Sequence, residues 1–112
     1  MNSKEKTIYI ANLAAEKKAE GIVALDIQKI SSIADYIIIC TGTSDRHVQA
    51  IAESIEQGLK KKKISPIGTE GIRDGRWALI DYGDIVVHIF YEPVRDFYNL
   101  EGLWAEAPRL TI

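Results

Sequence analysis

The residues equipped for chemistry are few and scattered along the chain. Thr41, Gly42, Thr43 and Ser44 form a small-residue turn between an apolar run and an amphipathic segment, the setting in which amides at a helix N-terminus meet a phosphate. Metal-dependent phosphoryl transfer on such a turn also needs carboxylates close enough to share cations, commonly Asp-x-Asp on a neighbouring strand. This chain offers Asp81 and Asp84 across a turn, a spacing that does not oblige them to converge, and it has no Gly-Lys-Ser or Gly-Lys-Thr. His47, His88 and Cys40 are the only imidazole and thiol groups, and they lack any recognised metal-ligand spacing. Cys40 with His88 makes a poor nucleophile pair, since a thiol in an apolar strand has a raised pKa and little access. The sequence therefore predicts no catalytic residues, no metal and no cofactor.

The elements that must position these groups centre on Asp35 to Ile55. Tyr36 to Cys40 is too short for a membrane span and too continuously apolar for a strand with one wet face, which predicts a central strand covered on both sides. Ser44 stands as a helix N-cap, Asp45 suits the positive end of the helix dipole, and Val48, Ile51, Ala52, Ile55 and Leu59 share one face. Upstream, Thr7 to Glu20 reads as a helix ended by Gly21. Ile10, Leu13 and Ala14 mark its face, broadened by Ile8, Ala11 and Ala15. Ile22 to Ile27 reads as a strand, and Gln28 to Ala34 as a connection. Lys60 to Lys63 reads as a solvated helix end, with a phosphate contact as the sharper alternative. Pro66 limits Ile64 to Thr69 to an edge strand or extended segment, and Gly71 and Asp74-Gly75 signal turns.

Gly83 and Asp84 form a tight Gly-X connection between two runs of strand formers, the mark of a hairpin. That turn fixes the register: Tyr82 faces Ile85, Asp81 faces Val86, Ile80 faces Val87, Leu79 faces His88, Ala78 faces Ile89 and Trp77 faces Phe90. One hairpin face, Ala78, Ile80, Tyr82, Ile85, Val87 and Ile89, is uniformly apolar and should meet the core. The other carries Trp77, Leu79, Asp81, Val86, His88 and Phe90, too apolar to leave bare and too polar to bury casually. Asp81 and His88 are diagonal neighbours there, each able to partner the other. Either a second layer covers this face, the N-terminal helix being one candidate, or it is a docking surface anchored by Trp77. After Pro93, Val94 to Leu103 reads as short helical turns with Arg95 exposed. Phe97, Tyr98, Leu100, Leu103 and Trp104 would tack the tail to the body, and Ala105 to Ile112 reads as an extended, mobile end.

A chain of 112 residues is one domain by size, residues 1–112. Its 14 basic and 16 acidic residues give a net charge of -2, so no global field draws it to nucleic acid or an anionic membrane. Trp77 and Phe90 offer bases a stacking pair, but Asp81 between them repels phosphate, so direct RNA contact is secondary at best. A lone cysteine inside an apolar run and an N-terminus without an apolar signal core predict a reducing compartment, the cytoplasm.

Two stretches, SSIADYIIICTGTSDRHVQAIAE and GRWALIDYGDIVVHIFYEPVRDFYNLEGLWAEAP, resemble the ribosomal silencing factor (Iojap-related) family, and with the first helix and strand the likeness spans nearly the whole chain. The resemblance implies a single α/β domain: a mixed five-stranded sheet with helices packed on it, nucleotidyltransferase-like in topology and without catalytic residues. It also implies a translational repressor that binds the large ribosomal subunit through its protein number fourteen and blocks joining of the small subunit when nutrients are scarce. Organelle relatives act in large-subunit assembly, and homodimers occur in the family. The alternatives are a nucleotidyltransferase-like enzyme, degenerate or active, and a large-subunit assembly factor. By position, the family's motif residues are Asp35, Tyr36, Thr41 to His47, Trp77, Asp81, Tyr82, Gly83, Asp84, His88, Arg95, Tyr98, Leu100 and Trp104. From these and the hairpin register, the expected partner-binding residues are Trp77, Leu79, Asp81, Val86, His88, Arg95 and Tyr98.

Overall fold

The computed structural model describes residues 1–112. Helix α1 spans Ser3–Glu16 and opens with a reciprocal cap: the Asn2 side chain accepts from the Glu5 amide at 2.8 Å, and the Glu5 carboxylate accepts from the Asn2 amide. This cap starts the helix before the predicted Thr7. The helix also ends before Gly21, because Lys18 takes the left-handed conformation (φ 61°) and the chain turns there into strand β1, Glu20–Asp26. Gly21 instead lies within β1, where the pairing register shifts between Glu20 and Val23.

Strand β2, Tyr36–Gly42, is buried along its whole length, and helix α2, Asp45–Lys61, follows from the Ser44 cap. Thr41 and Gly42 thus belong to the strand, leaving a turn of only Thr43 and Ser44. A Cβ on Gly42 would lie 2.8 Å from both the Val48 side chain and the Val48 amide nitrogen, so glycine is what lets α2 fold back so closely. Edge strand β3, Gly68–Glu70, pairs with β4, Trp77–Asp81, and β4 forms a hairpin with β5, Ile85–Tyr91. The hairpin register matches the sequence prediction at every pair, and Gly83 supplies the positive φ of 87° that the tight turn requires. The order is β1-β2-β5-β4-β3, with β2 and β5 parallel and all other pairs antiparallel, a mixed five-stranded sheet.

The two sheet faces are covered differently. Ile10 and Ala14 of α1 and Val48, Ile51, Ala52, Ile55 and Leu59 of α2 pack on Ile38, Cys40, Ile80, Val87 and Ile89, so both long helices lie on one face. The N-terminal helix therefore does not cover the Trp77 face. That face is roofed over β1, β2 and part of β5 by Val94, Leu100, Trp104 and Ala107, from two short helices, α3 (Glu92–Tyr98) and α4 (Leu100–Leu103), and the tail. The tail turns through Ala105 to Ala107 and then runs extended along the outer edge of β1, where Asp26 N–H donates to Pro108 O and Leu110 N–H to Ala24 O, each at 2.8 Å. The end predicted to be extended and mobile is extended only from Pro108 on and is tied to the sheet.

Candidate interaction surface

Each group that sequence singled out for chemistry has a structural assignment. At the start of α2, Ser44 Oγ accepts from the His47 amide at 3.0 Å and Asp45 Oδ1 from the Arg46 amide at 2.8 Å. The Thr43 amide donates to His47 Nδ1 at 2.8 Å, which leaves the ring proton on Nε2 to reach Lys17 O at 2.7 Å. These amides are already partnered, and His47 clasps the end of α1 to the start of α2. Asp81 Oδ1 accepts from the Gly83 amide at 2.8 Å, while Asp84 is paired with Lys6 of α1 at 2.8 Å. The two carboxylates brace the hairpin turn in different directions. Cys40 and His88 point to opposite faces of the sheet, and burial pushes the Cys40 thiol up to about 12.

The Trp77 face is organised by aromatic contacts. Half-buried Trp77 stacks on Phe90 with ring centroids 5.0 Å apart, and Tyr98 of α3 lies 4.7 Å from it. Its indole Nε1–H donates to His88 Nδ1 at 3.0 Å. His88 is 93% covered, by its 7% residual exposure, and burial lowers its pKa to about 4, so it is neutral near pH 7. The predicted Asp81–His88 pair is therefore absent. His88 has two diagonal neighbours across the hairpin, Trp77 and Asp81; the indole takes the imidazole, and the turn amide takes the carboxylate.

Leu79, Asp81 and Val86 lie half-buried beside Trp77. Leu79 and Asp81 have no part in the second core, and Val86 only flanks it. The face is thus divided: its β1-β2 side is roofed, and a strip formed by Trp77, Leu79 and Asp81 of β4 with Val86 of β5 stays partly open. Tyr98 is 51% exposed at one end of this strip, and Phe97, beside it at 5.1 Å, is 81% exposed. Trp77, Pro93, Val94, Phe97 and Tyr98 form the apolar wall of a groove with Asp74 and Arg76 at its rim.

Three predicted placements at the C-terminal end are corrected. Arg95, predicted exposed, has only 15% of its side chain accessible, because Nη1 donates to Gly21 O and Thr41 Oγ1 at 2.8 Å and Nε to Glu101 at 2.9 Å. Phe97 and Leu103 do not tack the tail down; both stand in solvent. Phe97 was not among the predicted site residues. Its exposure depends on the rotation of α3, and seven residues are too few to show a periodic face.

The family model described as "Ribosomal silencing factor during starvation" matches residues 1–112. The chain belongs to the ribosomal silencing factor family. The ribosomal silencing factor RsfS of Bacillus subtilis is 45% identical over 108 residues, which is 96% of this chain and 92% of that protein. RsfS of Halalkalibacterium halodurans is 42% identical over 100% of this chain and 96% of its own length. A crystal structure of a protein from Chromobacterium violaceum superposes with a TM-score of 0.91 at 36% identity, covering 94% of this chain and 88% of that one. The family fold is thus the α/β sheet described above, and no helix of this chain is long and apolar enough to cross a membrane.

Proposed function

We propose that the chain represses translation in the cytoplasm by binding the large ribosomal subunit and standing where the small subunit must dock. Membership in a family named for ribosomal silencing supports the general role in translation regulation and ribosome association. The open strip on the second sheet face carries the finer reading. Trp77, Leu79, Asp81 and Val86, flanked by Tyr98, form a shaped, partly apolar surface on a sheet whose other face is filled by helices. Such a surface suits a protein partner, in which a few aromatic anchors supply most of the binding energy, and the family likeness points to protein number fourteen of the large subunit. In this reading His88 supports Trp77 from beneath, and the rest of the domain acts as a steric block. No part of this mechanism requires catalysis or a cofactor.

The test is a titration of purified large subunits with the wild type and Trp77→Ala. A hot-spot anchor predicts a loss on the order of 2 kcal/mol, roughly thirty-fold in affinity. Unchanged affinity in a variant that still melts cooperatively would remove this face from the interface. For the enzymatic alternative, incubation with nucleoside triphosphates and a divalent metal is expected to give no turnover; turnover that depends on Asp81 would reinstate it.

A further inference from the structure

Helix α3 carries the two aromatic rings at the end of the open strip, yet it is only seven residues long and has no fully buried residue. A single turn or two of helix does not hold itself in water, so its position must come from tertiary anchors. On the strip side the anchor is Tyr98 against Trp77. One turn earlier, Arg95 reaches in the opposite direction. Its guanidinium joins the bulged start of β1 at Gly21 O, the end of β2 at Thr41 Oγ1 and the start of α4 at Glu101. Glu101 also lies 3.7 Å from Arg109 of the tail, so the same cluster links α3, α4, the tail and two strand ends. Gly21 makes room for it: a Cβ there would stand 2.6 Å from Arg95 Nη1.

We propose that Arg95 is a positioning residue for partner binding, acting through Tyr98: by pinning α3 to the ends of β1 and β2 it holds the Tyr98 ring over Trp77. This rests on the reading that the strip is the docking surface. The planar fork explains why an arginine serves here, since it bonds three acceptors from separate elements at once, which a lysine ammonium on a flexible stem does far less well.

The test combines a spectroscopic signature with a double-mutant cycle on large-subunit binding. In Arg95→Ala the Tyr98 ring-proton NMR shifts, displaced in the wild type by the neighbouring indole, should move to unstacked values. Affinity should fall by about ten-fold in Arg95→Ala and in Tyr98→Ala alike, and no further in the double variant, because residues acting through one another are non-additive. Thr41→Val removes one acceptor without touching the strip and should give a smaller loss in the same direction; it carries the test if Arg95→Ala does not fold. Retained Tyr98 shifts, or losses that multiply in the double variant, would overturn the inference. If Trp77→Ala and Tyr98→Ala both bind as the wild type does, the docking reading fails and the inference with it. If they weaken binding while Arg95→Ala and Thr41→Val do not, the inference alone fails.

Discussion

Trp77 and His88 behave as one group. A half-buried indole N–H needs an acceptor, and His88 Nδ1 supplies it only in the neutral ring, the form that burial enforces. With the folded-state pKa near 4 and the unfolded value near the ordinary 6.5, the unfolded chain takes up this proton first as pH falls. The stability tied to His88 is therefore full above about pH 6.5 and lost down to about pH 4, a fall of up to about 3 kcal/mol. Urea unfolding across that range should show a shallower decline in His88→Phe than in the wild type; parallel declines would contradict the assignment. Cys40, buried in the opposite core with its thiol pushed up to about 12, should resist maleimide at pH 8 in the native protein and label once urea unfolds it. Residue pairing was less legible in the sequence than residue placement. The hairpin register located both diagonal neighbours of His88, but choosing between them required knowing that the Gly83 amide was free to take Asp81.

At the scale of elements, the strand, turn and helix from Tyr36 to Lys61 form one unit closed by Gly42 and the Ser44 cap. Gly42→Ala should destabilise the protein by about 1–3 kcal/mol, since the added methyl meets the Val48 backbone as well as its side chain. Denaturant midpoints measure this directly, and an unchanged midpoint would mean that α2 can retreat without loss. The hairpin was readable because a two-residue turn and strict alternation fix a register together. The ends of α1 were not: Asn2 and Glu5 cap it from within a polar stretch that carries no apolar period, and a left-handed lysine does the work assigned to Gly21. The short helical turns after Pro93 were legible, but the anchor that holds α3 was not. Arg95 reads as a surface cation until β1 and β2 bring Gly21 O and Thr41 Oγ1 within its reach.

For the whole molecule, what matters is the unequal cover of the sheet. Two long helices fill one face, while the C-terminal helices and tail roof only the β1-β2 side of the other. The covering layer that its sequence left open for the Trp77 face is thus realised over only part of it, and the division depends on long-range packing that local pattern does not encode. In the proposed reading the less covered part is the surface for a partner, and the remainder supplies the bulk. The decisive measurement is sucrose-gradient analysis of purified large and small ribosomal subunits mixed with the protein. Steric silencing predicts that the protein migrates with the large subunit, that the joined ribosome is depleted, and that Trp77→Ala restores it. Undiminished joining with the protein bound to the large subunit, or its migration with joined ribosomes, would contradict the account.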